Sequence, residues 1–180
     1  MKMGYEWIAG ASEQTEWWPW MENRWIYRKH RFVIWLLAHK RLLTRDRMKH
    51  LNMTMNGSCF FCDDDLETVN HLFSRCIYSR SIYTGIGNWG GIMRLAEENI
   101  RWWLRLRERA ATKKKVVGIT LATCIYALWQ VRNVAMHDFV VPLQENVVRR
   151  IKNDVIRRLE SLEFKTECMN TKKWSESLKM

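Results

Sequence analysis

Three cysteines and one histidine fall inside nineteen residues, "SCFFCDDDLETVNHLFSRC" at 58–76, of a chain whose other two cysteines lie far away. Cys59 and Cys62 form C-x2-C, eight residues separate Cys62 from His71, and four separate His71 from Cys76. Thiolate sulfur and imidazole nitrogen are the donors a tetrahedral zinc takes, at about 2.0 to 2.3 Å, and a C-x2-C turn lets two sulfurs converge from one tight loop. The longer loop then returns the chain with His71 and Cys76, completing a CCHC set for one structural Zn2+. The bland alternative is that three small apolar thiols and a histidine meet as ordinary core residues. Four ligands at compact, knuckle-like spacing argue against it.

Two catalytic readings compete. A Cys/His nucleophile pair needs one activated thiol beside a base and an orienting third group. Here three thiols share one histidine, which suits coordination better than attack. The second reading is "FCDD" (61–64), which satisfies the aromatic-x-Asp-Asp pattern by which reverse transcriptases place two metal-binding carboxylates on a hairpin turn. A two-metal clamp needs a further aspartate upstream on a neighbouring strand. The only one before Asp63 is Asp46, set in a basic helix. Asp63, Asp64 and Asp65 therefore read as a solvated loop with Asp65 as N-cap of a short helix over "LETVNHLF", where negative charge is favoured. No catalytic residue is assigned.

The elements that must position the cluster are helical. Among 180 residues there are only two prolines and eight glycines, against eleven tryptophans and ten methionines, which leaves long stretches free of helix breakers. At 47% apolar composition a packed core is affordable. "HRFVIWLLAHKR" has apolar residues nearly all round and is expected to be a helix buried on most sides. "LLTRDRMKHL" offers Thr44 as the N-cap of a short second helix. After the cluster, four glycines in "TGIGNWGG" (84–91) predict a loop and a module boundary near Gly91. Three further helical patterns follow, over about 92–110, 112–137 and 143–164. "VVGITLATCIYALW" (116–129) is too short to span a bilayer and reads as a buried helix. In the last pattern Val148, Ile151, Val155, Leu159 and Leu162 oppose Arg149, Arg150, Arg157 and Arg158. The fold class is thus mainly α: a small CCHC zinc module followed by a helical C-terminal extension. Its divisions are a Trp-rich leading segment (1–23), the basic helix and zinc module (24–91), the extension (92–164) and a polar tail (165–180).

The net charge of +11 argues for a polyanionic partner, because a basic surface attracts nucleic acid or anionic membrane without specifying which. Residues 24–49 hold nine Lys or Arg against one acid, Asp46. Arg28, Lys29, Arg31, Lys40, Arg41, Arg45, Arg47 and Lys49 cannot all be buried, so they are the candidate nucleic-acid contacts. RNA or DNA is the expected partner, and no membrane is. The odd cysteine count and the absence of signal-peptide character at the start predict a reducing, intracellular setting, nuclear or cytoplasmic rather than secreted. Trp17, Trp18, Trp102 and Trp103 are read mostly as core, His30, His39, His50 and His137 as surface or partly buried histidines, Cys124 as a core thiol and Cys168 as a tail thiol.

Residues 17 to about 90 resemble the zinc-binding domain that follows the polymerase in plant non-LTR retrotransposon reverse transcriptases. "KHRFVIWLLAHKRLLTRDRM", "CFFC" and "ETVNHLFSRC" carry the resemblance, and "ALWQVRN" (127–133) looks like a tryptophan and Arg-Asn pair often found downstream. Arg28 stands where that family often has proline, and Tyr83 near where a tryptophan commonly follows the last cysteine. The resemblance implies that Cys59, Cys62, His71 and Cys76 are zinc ligands in a non-catalytic module that helps hold nucleic acid, with other retroelement protein segments as further partners. The rival reading is a protein–protein interaction module with a structural zinc.

Overall fold

The computed structural model describes residues 22–54, 56–91 and 111–162. Among them the chain is helical with no strand, as the composition predicts. In chain order the helices are α1 (Arg28–Ala38), α2 (Arg45–His50), a π-helical turn (His71–Arg75), α3 (Ile77–Gly90), α4 (Ala111–Asp138) and α5 (Gln144–Glu160). The expected helix over 92–110, the tail 165–180, Cys168, and Trp17, Trp18, Trp102 and Trp103 lie outside the described residues.

The central element is α4. Every residue from Val116 to Ile125 is buried, because an apolar run with no polar face can be accommodated only by packing on all sides. Its threonines fit that setting: the Thr123 hydroxyl, for instance, donates to the Ile119 carbonyl one turn back at 2.8 Å. Packed against it are α1 and α5, and α5 also packs on α3. On α5, Val147, Ile151, Val155 and Leu159 are buried at steps of four, while Arg149, Arg150 and Arg157 face water. Arg158 instead binds the Trp25 and Arg24 carbonyls at 2.7 and 2.9 Å, tying α5 to the start of the described chain.

Three expectations need correction. α1 is not buried on most sides: His30, Val33, Ile34 and Leu37 point inward, but Phe32 is 58% exposed and Trp35 and Leu36 only half-buried. His30 is not a surface histidine; it is buried and stacks on Tyr126 with ring centroids 4.4 Å apart. Third, residues 84–91 are not a loop. They form the second half of α3, which ends at Gly91 in the left-handed conformation (φ 62°) that glycine adopts without strain. Gly85 is needed inside the helix because a Cβ there would meet Val148 Cγ2 of α5 at 3.1 Å. Gly85 thus serves close packing of α3 on α5, and Gly91 ends the helix.

Two helix ends upstream are closed without glycine. After α1, Lys40 takes φ 51°, and the Lys40 and Arg41 amides donate to Leu37 and Leu36. After α2, Asn52 takes φ 55°, with the Asn52 and Met53 amides on Lys49 and Met48. Both are the paired closure that turns a chain sharply off a helix C-terminus.

Candidate metal centre

The centre is built on a short hairpin. The Glu67 amide donates to the Gly57 carbonyl and the Cys59 amide to the Asp65 carbonyl, each at 2.8 Å, so residues 59–65 are forced into a tight loop. Within it the Asp63 amide reaches back to the Cys59 carbonyl at 3.0 Å, and Asp63 adopts φ 56°. The Phe61 amide points at the Cys59 sulfur at 3.4 Å. Asp63, Asp64 and Asp65 are all exposed.

The next helical turn begins later than Asp65. Its cap is Thr68, whose hydroxyl accepts the His71 amide at 3.0 Å, while the Asp65 carboxylate accepts the amide of its neighbour Leu66. The chain then winds as a π-helix, and the Cys76 amide donates to the His71 carbonyl at 2.8 Å. This widening matters for the spacing. In an α-helix at 3.6 residues per turn, five residues carry a side chain about 140° round the axis. The wider turn keeps His71 and Cys76 on one side. The Leu72 carbonyl that it displaces is taken up by the buried Ser79 hydroxyl at 2.6 Å.

Cys59, Cys62, His71 and Cys76 thereby bring one donor atom each within 4.8 Å of one another. The Cys59 and Cys76 sulfurs are 3.9 Å apart, and the Cys62 sulfur is 3.3 Å from His71 Nε2. Sulfurs 2.3 Å from a tetrahedral zinc would be about 3.7 Å apart, so the donors fit that ion, whereas a disulfide needs about 2.05 Å. Nε2 is the nitrogen facing the sulfurs. Nδ1 lies 3.3 Å from the Asp65 carboxylate, a partner of the kind that orients a metal-bound imidazole. The contact is an ion pair rather than a hydrogen bond.

Crowding splits the thiols electrostatically. A hydrogen bond from the Cys59 thiol holds Cys76 well below the ordinary thiol range despite its burial. Amides of Tyr78 and Ser79, in the first turn of α3, push the same way. That hydrogen bond, with burial, raises Cys59, and Cys62 is raised by burial. Three sulfurs this close cannot all ionise without a cation among them.

Two residues that sequence reasoning did not assign to the site hold the hairpin in place. Glu67 and Arg132 are fully buried, and one Glu67 oxygen accepts Arg132 Nε at 2.8 Å, Arg132 Nη2 at 2.7 Å and the Arg45 amide at 3.0 Å. The Arg132 guanidinium lies over Trp129 at 5.1 Å and Phe60 at 5.9 Å. Both lie in stretches that the resemblance singled out, "ETVNHLFSRC" and "ALWQVRN". Pairing across sixty-five residues is the physical reason they go together.

The basic candidates divide. Arg28, Lys29, Lys40, Arg41 and Lys49 are exposed. Arg45 is a brace: Nε and Nη1 donate to the Asn56 and Ser58 carbonyls at 3.1 and 2.9 Å, and its guanidinium covers Phe60 at 4.2 Å. Arg47 donates to the Lys40 carbonyl, and Arg31 is half-buried. Among the described residues, no helix is long and apolar enough to cross a membrane.

Fold and donor set define a helical module with a closed Cys3His centre, suited to one structural zinc. Residues 1–83, a little under half of the chain, match the family described as zinc-binding in reverse transcriptase. This part of the protein is similar to the zinc-binding domain of reverse transcriptases. No curated protein and no solved structure matches the chain.

Proposed function

We propose that the chain is a non-catalytic zinc module, derived from a retroelement reverse transcriptase, that binds nucleic acid through its basic surface. Cys59, Cys62, His71 and Cys76 hold the ion. The observation carrying this reading is the closure of four protein donors within 4.8 Å: a structural zinc takes four, whereas a catalytic one keeps a position for water or substrate. The metal's task is then to pin the hairpin between α2 and α3 and so fix the exposed cations Lys40, Arg41 and Lys49 around it.

The experiment has two readouts on the zinc-loaded chain. Elemental analysis is expected to give one zinc per chain, and chelation to strip amide-exchange protection from residues 50–80, since such sites contribute roughly 10 to 16 kcal/mol of apparent binding energy to small modules. Titration with labelled single-stranded RNA is expected to show salt-dependent binding. Each lost phosphate contact lowers the log–log slope by about 0.7, so Lys40→Gln with Arg41→Gln and Lys49→Gln would lower it by about 2 at unchanged zinc content. No metal, or no binding at low salt, would refute the corresponding half.

A second reading, a protein-interaction module, is favoured by one feature. The link between α4 and α5 exposes Phe139 (83%), Val140 (62%) and Leu143 (68%) in succession. Failure of RNA binding together with capture of a protein through this link would favour it.

A further inference from the structure

The outward face of α1 carries more than charge. Opposite the buried His30, Val33, Ile34 and Leu37, positions 28, 32, 35 and 39 follow at helical steps and place Arg28, Phe32, Trp35 and the cap residue His39 in one row. The Phe32 and Trp35 rings are stacked, 14° from parallel with centroids 6.2 Å apart. His39 lies against Trp35 at 4.6 Å, and the Arg41 guanidinium lies over the same indole at 5.4 Å. Phe32 keeps 58% of its surface in water. Eleven residue steps at 1.5 Å make the row about 16 Å long.

An exposed ring at that position contributes nothing to the core, and cations alone would suffice for phosphates. Aromatic rings aligned in one plane direction, with guanidinium groups at both ends, match what a single strand offers: flat bases joined by anionic linkages. The charge is one-sided as well, since residues 24–45 contain seven Lys or Arg and no Asp or Glu. A protein surface would be met better by a row of mixed charge.

We propose that the Phe32–Trp35 face of α1, flanked by Arg28 and Arg41, is a base-stacking platform for single-stranded nucleic acid. This deepens the nucleic-acid reading above and rests on it. Bases stack on Phe32 and on the open part of Trp35, and the two arginines neutralise the linkages at either end. Binding is therefore tolerant of sequence but requires bases, which separates it from simple phosphate attraction.

The test uses the zinc-loaded full chain and two labelled probes of equal length, a single-stranded oligouridylate and an abasic oligonucleotide with the same phosphates. Wild type is expected to prefer oligouridylate. Phe32→Ala is expected to weaken that probe about 5- to 150-fold, the range produced by losing one base–aromatic stack. It should leave the salt slope, the abasic affinity and the melting temperature unchanged, while Phe32→Tyr stays within about threefold of wild type. Equal binding of both probes by wild type, or no effect of Phe32→Ala, would overturn the platform and leave phosphate binding standing. Binding of neither probe would overturn both readings. Self-association abolished by Phe32→Ala, with oligouridylate affinity unmoved, would assign the face to a second copy and likewise overturn the platform.

Discussion

Replacing Arg132 by methionine should unfold this protein more readily than any surface change near the zinc ligands. The side chain is 1% exposed and its partner Glu67 is fully buried, so the substitution strands a carboxylate away from water. Glu67 would lose two of the three donors on its bonded oxygen and keep only the Arg45 amide. Breaking a buried pair from one side costs about 3 to 5 kcal/mol, because the remaining charge is uncompensated. Methionine fills much of the arginine's volume and still covers Trp129 and Phe60, so lost packing adds little. For a chain of this length each kcal/mol moves the midpoint by about 2 to 4 °C, which places the loss at about 6 to 20 °C. The assay is thermal and urea unfolding of the zinc-loaded chain by circular dichroism, with zinc release followed in parallel. Arg132→Met should also release zinc sooner, since Glu67 sits directly after the Ser58–Leu66 pairing that closes the cysteine loop. Adding Glu67→Met should recover most of the loss, because two apolar groups leave no orphan charge. A loss below about 1 kcal/mol, or single effects that simply add in the double variant, would refute the claim that this pair clamps the hairpin to α4.

Burial, with Lys29 and Arg158 close by, holds His30 down at about 4, against an ordinary 6.5. The unfolded chain therefore binds a proton that the folded chain refuses, and stability should fall as pH drops from 6.5 to 4, by about 3 kcal/mol in all, levelling below that. Zinc loss in acid affects wild type and His30→Phe alike, so the difference between their unfolding curves isolates the histidine; parallel curves would contradict the assignment. Asp63→Asn with Asp64→Asn should change stability by less than about 0.5 kcal/mol and leave zinc content intact, because both carboxylates are exposed loop groups. Template-directed nucleotide incorporation by wild type that this double variant lost would overturn the non-catalytic reading.

The Cys3His cluster was legible because its chemistry is local. Donor types, a two-residue turn between thiols and one returning segment are all written in nineteen consecutive positions. Helical character was legible for the same kind of reason: residues 116–129 of α4 are apolar nearly all round and α5 has a four-residue stripe, and those periods follow from 3.6 residues per turn. Gly85 misled because glycine signals a turn only when nothing is packed against it. Here Val148 approaches from α5, sixty-three residues on, and makes the small residue a packing requirement.

What the chain's own letters determined, then, was which atoms could bind a metal, that the described residues would be helical, and that positive charge would crowd into 24–49. Only the tertiary structure decided how these are used. His71 and Cys76 stand five residues apart, a spacing that an α-helix would splay, and the π-turn that reconciles them is held by Ser79 from the following helix. Arg45 and Arg47 look like any other cations in the sequence, yet their guanidinium groups are taken up by backbone carbonyls of the fold. Arg132 and Glu67 meet only because α4 is drawn against the hairpin. Local spacing sets which contacts are chemically available, and the burial of groups distant in sequence selects among them, since a charge removed from water must find its partner wherever the fold places one.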